Sequence, residues 1–525
     1  MEQMMMSTCI NIIVAAASFL ILWQIYRSRR NRTWAAPHGC TNWPVVGMLP
    51  SLICHASDFH DRYLTATLRR HGGTVELKGP WFSGMDSIVT SDPANVRHIQ
   101  SGNFGNYPKG PVMKEVFEPF GDGIFTVDFE SWVLQRKKLH LLIKNNRYKL
   151  LMEKATHAKL EYGMFQILDH LAENGDESDL QDIFQRFTFD AICIIVMGLD
   201  PRSLNIDFHD APLAKAFDDI GKGIFRRHVI PKIAWKLQKW LRMGTEKQLS
   251  IAMQRFDDFL YSFISSRRKQ IIAKRMDDEV EETVDDDLLT AHIKGEIMDK
   301  NDGVLVLTED KFLRDMVLNL LGAGRSTIAS TLVWLFWSLT NNPHVESKIL
   351  AELNSNPPTL EKIHGDHRLY NEEEVNCLTY LHAAIMETLR LYPPLPINHK
   401  WAMEADLLPS GHHVRPKTRV FFSAYAMARM EDVWGPDCNE FKPERWITEK
   451  GEIQLVPSHR FATFNGGPRS CLGKEVSLIQ LKIVAAAILW RYKIWVVDGH
   501  PVSVAMSTML NMKHGLRVWI SHRST

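Results

Sequence analysis

The ten residues that begin at Phe464 read F-N-G-G-P-R-S-C-L-G and lie between a loop and an apolar, helix-forming segment. Cys471 stands where the chain is predicted to become helical, and a helix N-terminus favours a negatively charged sulfur. Gly467 allows a tight turn, and Gly473 allows close approach as the helix begins. Phe464 can shield the sulfur from water, and Arg469 can form a charge-assisted pair with an anion. This combination is not expected of a merely structural cysteine in a glycine-rich turn.

A soft thiolate is an appropriate axial ligand for haem iron, because its electron density favours cleavage of the O–O bond. The stretch matches, without a departure, the F-x-x-G-x-R-x-C-x-G haem loop of the cytochrome P-450 family, and the chain resembles that family over almost its whole length. The resemblance implies haem b (iron protoporphyrin IX), with Cys471 as the axial ligand of its iron and Arg469 at a propionate. It also implies the family's fold, which is mainly α with small β-sheets (α+β).

Two further family motifs stand in the expected order. Glu387 and Arg390 form the E-x-x-R pair in M-E-T-L-R, and their spacing places them on one helix face. Arg445 in F-K-P-E-R-W supplies a third member. An isolated ion pair of this kind is usually exposed and contributes little to stability. The resemblance implies instead that Glu387, Arg390 and Arg445 form a structural triad that fixes the loop presenting Cys471.

A W-x-x-x-R motif lies upstream, at Trp132 and Arg136. These residues lie one helical turn apart and could donate hydrogen bonds to a haem propionate. The alternative is a basic helix face, because Lys137 and Lys138 follow directly. The resemblance favours Trp132 and Arg136 as cofactor-binding residues over the two lysines.

A long helix is predicted from Thr308 to Leu339. Acidic residues follow Thr308 in its first turn, and Asn341-Asn342-Pro343 ends it. Apolar residues surround most of its second half, which predicts a helix buried through the centre of the domain.

Two glycines lie in the middle of this helix, and each costs about 1 kcal/mol relative to alanine. A local opening of the backbone hydrogen-bond ladder beside the haem would explain Gly322 and Gly324. The resemblance then places Thr327 facing iron-bound dioxygen.

The helix departs from the family pattern A-G-x-D/E-T at one position, because Ser326 stands where the acid is expected. A carboxylate can take protons from water and pass them on, whereas a serine hydroxyl can only relay them near neutral pH. Ser326 and Thr327 are the predicted catalytic residues. The alternatives are that ordered water and Thr327 suffice, or that the Ser326 hydroxyl caps a helix carbonyl.

The N-terminal segment predicts a membrane anchor. No charged residue occurs from Gln3 through Tyr26, and a cluster of arginines follows at once. An apolar run of this length can span a bilayer, and the positive-inside rule places everything after it in the cytosol. The alternative is a cleaved signal peptide, which would carry its positive charges before the run. We predict an anchor over 1–32, a proline-containing linker over 33–50 and one catalytic domain over 51–525.

Composition excludes several classes of protein. The chain has 525 residues with 62 basic and 61 acidic side chains, a formal net charge of +1 that argues against nucleic acid as the main partner. A hydrophobic content of 45% excludes a disordered chain. The seven cysteines include no C-x-x-C pair, so a disulfide scaffold is not expected. Turn residues and alternation predict a small antiparallel sheet from Gly73 to Asp92, and the acidic block Met276 to Asp287 predicts a solvated loop.

Within the family, several stretches resemble the plant alkane and fatty-acid hydroxylase clan, especially mid-chain alkane hydroxylases. A neighbouring plant lineage that couples phenols in alkaloid synthesis also resembles the chain and also lacks the helix acid. The stretches are S-G-N-F-G-N-Y-P-K-G-P from Ser101, L-Q-D-I-F-Q-R-F-T-F-D from Leu180, R-L-Y-P-P-L-P-I-N-H-K from Arg390, L-P-S-G-H from Leu408, Y-A-M-A-R-M from Tyr425 and M-K-H-G-L from Met512.

The resemblance implies an endoplasmic-reticulum haem-thiolate monooxygenase with a single-pass anchor. Its expected partners are NADPH-cytochrome reductase, O2, membrane lipid and a hydrophobic small molecule, and no nucleic acid is expected. The leading substrate is a long-chain alkane or fatty acid, and the alternative is a phenolic alkaloid precursor. Two other classes stay open on the sequence alone: a haem-thiolate isomerase or dehydratase, and a non-catalytic haem sensor.

Five segments are predicted to line the substrate pocket. A longer region that includes one of them, Gly221 to Leu241, interleaves basic and aromatic residues and could also contact the membrane interface. The five predicted segments are Pro108 to Val112, Gly221 to Trp235, Leu318 to Ala323, Pro394 to Asn398 and Ser507 to Leu510.

Overall fold

The structure is a computed structural model that describes residues 43–523 apart from 44, 56–57, 82, 207–211, 277–285, 299–308 and 359–368. The predicted anchor over 1–32, most of the predicted linker, the predicted helix cap Thr308 and most of the predicted acidic loop lie outside the described residues.

Helices make up most of the described chain. The α-helices are, in chain order, α1 Leu49–Cys54, α2 Ala66–Arg70, α3 Pro93–Arg97, α4 Gly110–Val116, α5 Phe129–Ile143, α6 Asn146–Lys159, α7 Phe165–Asn174, α8 Leu180–Met197, α9 Pro212–Val229, α10 Lys232–Trp240, α11 Gly244–Met276, α12 Leu288–Met298, α13 Asp310–Gly324, α14 Ser326–Asn341, α15 Pro343–Ser355, α16 Glu372–Asn376, α17 Thr379–Leu391, α18 Ala424–Met427, α19 Glu431–Trp434 and α20 Lys474–Arg491. Short π-helical segments occupy Phe59–Thr65, His98–Gly102 and Leu160–Met164, and short 3-10 segments occupy Phe104–Asn106, Glu118–Phe120, Pro443–Trp446, Ala462–Phe464 and Gly467–Arg469.

The strands form small sheets at the edge of the helical body. The strands are β1 Thr74–Leu77, β2 Ser87–Thr90, β3 Ser178–Asp179, β4 Ile397–Trp401, β5 Asp406–Leu407, β6 His413–Val414, β7 Arg419–Ser423, β8 Tyr492–Val496 and β9 Arg517–His522. The main sheet has the order β1-β2-β7-β4, a second has the order β3-β9-β8, and β5 pairs with β6. Strands β1 and β2 pair antiparallel, as the alternation from Gly73 to Asp92 predicts.

The long central helix is present as α13 and α14, which begin at Asp310 and end at Asn341. This run is long and apolar enough to cross a membrane by length and composition, yet most of it is buried inside the protein. Helix α14 packs against α8, α17 and α20, and together their apolar side chains form the main core. The prediction of a helix buried through the centre of the domain is therefore confirmed.

Helix α20 connects the core to the candidate site. Its residues from Val476 to Leu489 are almost all buried, so its position is set by core packing. Its N-terminal cap position is Gly473, two residues after Cys471. The cysteine therefore sits at the first turn of one of the best-anchored helices of the protein.

A polar cluster around Asp406 attaches the segment before α4 to the small β5–β6 sheet. The Asp406 carboxylate accepts hydrogen bonds from His98 Nε2 at 2.8 Å, Tyr107 Oη at 2.7 Å and Asn103 Nδ2 at 3.1 Å. Burial alone would raise the pKa of Asp406, but these hydrogen bonds outweigh burial and hold that pKa below its ordinary value.

Candidate active site

The loop before α20 is a closed turn with no room for a side chain at one of its glycines. Gly467 has φ +59°, and a Cβ built on it would lie 2.1 Å from the carbonyl oxygen of Gln100. The backbone N–H of Cys471 donates to the carbonyl oxygen of Phe464 at 2.8 Å and closes the loop. The predicted turn at Gly467 is therefore required both by its backbone conformation and by its neighbour.

Opposing influences act on the Cys471 thiol, and their net effect raises its pKa. Burial raises the pKa of its thiol, while the backbone N–H groups of Gly473 and Lys474 and the Arg136 guanidinium oppose that rise. The Cys471 side chain is nevertheless accessible, although it lies deep enough for burial to dominate its titration.

Three of the predicted cofactor-binding residues meet beside this loop. The Arg469 guanidinium lies 4.6 Å from the centroid of the Trp132 ring, and that of Arg136 lies 5.7 Å from the same ring. Arg136 also donates to Ser470 Oγ at 3.2 Å, directly before the cysteine. Arg469 donates to Asp128 at 2.6 Å, a contact that sequence reasoning did not predict.

Two lysines join this group, and sequence reasoning missed both. Lys400 lies in β4 with its side chain buried, and burial together with the charges of Lys109 and Arg469 lowers its pKa to about 6. The same causes, burial first and then Arg469, lower the pKa of Lys109 to about 8. A lysine in the middle of a short buried strand is the signal that could have identified Lys400.

These residues fit the predicted haem. Lys400 Nζ and Arg469 Nε are buried and have no hydrogen-bond partner in the part of the chain that the structure describes, so they can serve the carboxylates of a propionate-bearing cofactor. A Cβ built on Gly473 would meet no protein atom within 4 Å. Protein packing therefore does not require glycine there, whereas a flat macrocycle against the loop does.

The predicted triad is brought together in the protein interior. Glu387 accepts two hydrogen bonds from Arg390, at 2.7 and 2.8 Å, and one from Arg445 at 3.4 Å. The Trp446 indole and the backbone N–H of Lys442 also donate to this carboxylate, at 2.8 and 3.0 Å. The remaining Arg390 donors bind backbone carbonyls of residues 428, 438 and 440. The network thus joins α17 to the segment that precedes the cysteine loop.

The central helix is interrupted where the sequence predicts an opening. Arg325, with ψ −72°, separates α13 from α14. Thr327 Oγ1 donates to the carbonyl oxygen of Ala323 at 2.8 Å across this interruption. Ser326 Oγ makes no hydrogen bond within the described residues, so the expectation that it caps a helix carbonyl is not met.

The two glycines of this helix also have a packing role that the sequence did not indicate. A Cβ at Gly322 would lie 2.7 Å from the Phe120 ring, and one at Gly324 would lie 2.5 Å from Ile192. Close contact with these neighbours is therefore a second reason for glycine, beside the interruption itself.

An ion pair holds helix α9 over the interruption. Arg325 is buried and donates to the Asp218 carboxylate at 2.6 and 3.2 Å. Its guanidinium also lies between two aromatic rings, 5.1 Å from Phe189 and 5.3 Å from Phe217. Arg325, which precedes Ser326, thus connects α9 to the central helix. We call α9 the roof helix.

Two of the five predicted pocket segments contact each other. The backbone N–H of Leu510 donates to the carbonyl of Pro394 at 2.9 Å, which joins two of the segments. The Leu510 carbonyl in turn accepts from Ser330 and from the Trp334 indole of α14, at 2.9 and 2.6 Å. Helix α9, which contains much of a third segment, is held by Arg325.

A family model described as Cytochrome P450 matches residues 37–517. This chain belongs to the cytochrome P450 family. P450s are haem-thiolate monooxygenases that contain haem b, so the predicted family, enzyme class and cofactor are confirmed.

Similar proteins include plant enzymes of two kinds. The alkane hydroxylase MAH1 of Arabidopsis thaliana is 39% identical over 482 residues, which cover 92% of this P450 and 93% of the relative. Noroxomaritidine synthase of Narcissus aff. pseudonarcissus MK-2014 is 39% identical over 518 residues, covering 98% and 96%. Cytochrome P450 86B1 of Arabidopsis thaliana is 37% identical over 499 residues, covering 93% and 86%.

Among solved structures, the crystal structure of a cytochrome P450 (CYP102L1) is similar with a TM-score of 0.70. It covers 89% of this chain and 99% of its own at 20% identity. That likeness confirms the predicted P450 fold, mainly helical with small sheets.

Proposed function

We propose that this P450 inserts one oxygen atom from O2 into a C–H bond of a long-chain alkane or fatty acid, with electrons from NADPH delivered by a cytochrome reductase. The observation that carries the substrate class is the apolar wall at the helix interruption, where Phe120 and Phe217 converge on Gly322. Similarity to an alkane hydroxylase over 92% of the chain supports it.

The proximal residues set the electronic character of the site. Haem held there by Cys471 would supply dioxygen activation and C–H oxidation. The N–H groups of Gly473 and Lys474 stabilise negative charge on the sulfur. The Lys474 ammonium lies 5.5 Å from the centroid of the Phe464 ring. The propionates would be held by Trp132, Arg136, Arg469, Lys109 and Lys400. The buried atoms Lys400 Nζ and Arg469 Nε, which have no hydrogen-bond partner among the described residues, support this assignment.

The distal residues handle protons. Thr327 Oγ1 is bonded to the Ala323 carbonyl, so it can accept a second hydrogen bond from water or substrate while its own proton is held. Ser326 Oγ has both its donor and acceptor capacity available. In place of the family's acid, Ser326 would relay protons from water without storing one near neutral pH, and Thr327 would orient the accepted hydrogen bond.

Oxidative phenol coupling is the alternative function. Ser326 favours it, because the phenol-coupling lineage that the sequence resembles also lacks the helix acid, and coupling needs the substrate radical to escape oxygen transfer. Similarity to noroxomaritidine synthase over 98% of the chain supports this alternative.

A reconstituted assay separates the two functions. Full-length enzyme with a plant cytochrome P450 reductase and NADPH would be supplied in parallel with long-chain alkanes, fatty acids and phenolic amines. We expect NADPH-dependent hydroxylated aliphatic products. Coupled phenolic products without aliphatic hydroxylation would replace our proposal with the alternative.

We also propose an endoplasmic-reticulum location, with the segment over 1–32 as a single-pass anchor and α10 as a second membrane contact. Helix α10 exposes Ile233, Leu237 and Trp240, at 75%, 51% and 78% of their surface. Lysines interleave with them, a pattern that suits an interfacial helix. Glutamate at both Ile233 and Trp240 should weaken residual vesicle binding after residues 1–30 are deleted.

The reductase is proposed to dock on the exposed face of α5. Phe129, Val133 and Leu134 are all more than half exposed there, beside Lys137. A neighbouring face of the same helix carries Trp132 and Arg136, which adjoin the cysteine loop. A Leu134→Glu variant should lose reductase-supported turnover while it keeps its haem and its reduced carbon-monoxide spectrum.

A further inference from the structure

A second group of buried cationic and imidazole side chains lies on the face of β4 that turns away from Lys400. Antiparallel pairing sets His399 opposite Phe421 and Trp401 opposite Arg419. Residues directly opposite each other in a pair share a face of the sheet, so these four side chains lie together, whereas Asn398 and Lys400 project from the other face. This group is therefore separate from the propionate-binding residues.

Two side chains of the group contact the same aromatic ring, that of Phe421. The His399 imidazole stacks on Phe421 with 4.9 Å between ring centroids, and the Arg419 guanidinium lies 5.9 Å from the same ring. His228 of α9 adds a second imidazole, whose positive form would act on both Arg419 and His399. Helix α9, β4 and β7 thus contribute one nitrogen-bearing side chain each.

These nitrogen atoms lack partners. His399 Nδ1, His399 Nε2 and Arg419 Nε are buried and make no hydrogen bond to any residue that the structure describes. The side chains of His399 and Arg419 are only 6% and 8% exposed. Buried polar groups of this kind normally have partners, so an unsatisfied group at one place indicates a ligand.

The charge of the group is uncompensated. The groups whose charge would act on His399 are all basic, namely His228, Arg419, Lys109 and Lys400. Of these, Arg419 and Lys109 stay charged at neutral pH, because the pKa values of His228 and Lys400 fall to about 4 and about 6. Burial and these charges lower the pKa of His399, so at neutral pH it is a neutral donor beside a permanently charged Arg419. The acid that acts on Arg419, Asp86, lies at the surface and already contacts Lys78 and the Gly79 N–H.

We propose that His399, Arg419 and His228 form a subsite for the carboxylate of a long-chain fatty acid, between the roof helix α9 and the main sheet. The subsite rests on the proposed aliphatic function and narrows it to substrates with an acidic end. A guanidinium and imidazole N–H groups are suitable donors to a carboxylate, and Phe421, Trp401 and Phe117, whose ring lies 5.6 Å from His228, provide apolar contact for the adjoining methylene groups. Because β4 lies between the subsite and the propionate-binding residues, the carboxylate would be held apart from the haem edge.

The test compares ligands of equal chain length in the full-length haem-loaded enzyme. Palmitic acid and cetyl alcohol would be titrated by the Soret shift and by calorimetry, with acetate as the anion without a chain. Wild type should bind palmitic acid more tightly than cetyl alcohol. Arg419→Gln should weaken palmitic acid binding by about tenfold or more, because a charge-assisted hydrogen bond is lost, and leave cetyl alcohol nearly unchanged.

Two further variants keep the proposal falsifiable. Arg415→Gln is the matched control, because Arg415 is an exposed arginine just before the same strand and should leave both affinities unchanged. His399→Leu should reproduce the selective loss if Arg419→Gln does not retain haem. Equal losses for acid and alcohol, an equal effect of Arg415→Gln, or acetate binding as tight as palmitic acid would overturn the subsite. Tight alcohol binding without any preference for the acid would overturn the subsite alone, whereas failure of both long-chain ligands to bind would overturn the aliphatic function as well.

Discussion

Replacing Glu387 with alanine is expected to cost the protein its haem as well as much of its stability. The Glu387 carboxylate is completely buried, and five donors from Arg390, Arg445, Trp446 and Lys442 converge on it. Alanine removes the acceptor and leaves the buried Arg390 without its ion-pair partner, while Arg445 keeps its ion pair with Asp437 at 3.0 Å.

The expected loss of stability follows from the buried groups that would lose their partner. Removing one partner of a buried ion pair costs about 3–5 kcal/mol. The Trp446 indole and the Lys442 amide each lose an acceptor, and an unsatisfied buried donor costs about 1–3 kcal/mol. Because these terms are not additive, we expect a loss of about 4 kcal/mol or more, against a total stability of about 5–15 kcal/mol for a typical protein.

The assay is urea unfolding of the purified variant, combined with the haem content from the reduced carbon-monoxide spectrum. Glu177→Ala is the matched control, because Glu177 pairs with Arg517 at the surface, where both side chains are more than a third exposed. A surface pair of this kind contributes about 0–1 kcal/mol. Glu387→Gln should fall between the two, because its amide keeps one acceptor oxygen.

One outcome would refute this reasoning directly. If Glu387→Ala kept its full haem content and lost no more stability than Glu177→Ala, the network would not support the cysteine loop. Loss of stability with a normal haem content would mean that the network stabilises the protein but does not support the cysteine loop.

The other predictions concern the ligand, the helix hydroxyl, the acid-sensitive cluster and the anchor. Cys471→Ser should abolish the thiolate-type Soret band of the reduced carbon-monoxide complex, because a hard oxygen replaces sulfur; retention of band and activity would contradict the ligand assignment. Ser326→Asp should raise product formed per NADPH and lower peroxide release if the enzyme hydroxylates, and equal coupling and products in wild type, Ser326→Asp and Ser326→Ala would exclude a proton-delivery role. The pKa of Asp406 in the folded protein lies below its ordinary value of 3.8, so Asp406 stabilises the fold above pH 3.8, and this stabilisation is lost as the pH falls through the folded-state pKa. The free energy of unfolding of Asp406→Asn, measured in urea, should therefore differ from that of wild type at pH 7 and approach it in strong acid. Deleting residues 1–30 should release much of the protein from membranes and leave the carbon-monoxide spectrum unchanged, and a truncated protein that fails to bind haem would argue against a separable anchor.

Residues whose roles depend on local chain geometry were predictable from the sequence. Gly467 and Cys471 lie within one turn, and Glu387 and Arg390 lie on one helix face, so spacing alone places them together. The small β1–β2 sheet and the buried central helix followed from alternation and from a continuous apolar run for the same reason.

Residues whose roles depend on contacts between distant segments were not predictable. Lys400 and Arg469 are far apart in the sequence, and only the fold shows that the charge of one lowers the pKa of the other. In the sequence, nothing distinguishes Asp218 from other acidic residues on a helix surface. Its pairing with Arg325 is seen only in the structure, which places α9 over Arg325. The division of β4 into a propionate face and a carboxylate face depends on its register with β7, which no local pattern specifies.

The position of Cys471 at the start of α20 has a consequence for how such an enzyme can diversify. Because α20 belongs to the core, any substitution that shifts the sulfur must also disturb tightly packed side chains, and it is removed by selection for folding. The exposed side chains of α9 and α10 lie outside the core, so these positions accept substitutions at little cost. Changes at such positions can therefore alter the surroundings of a substrate while the position of Cys471 stays the same.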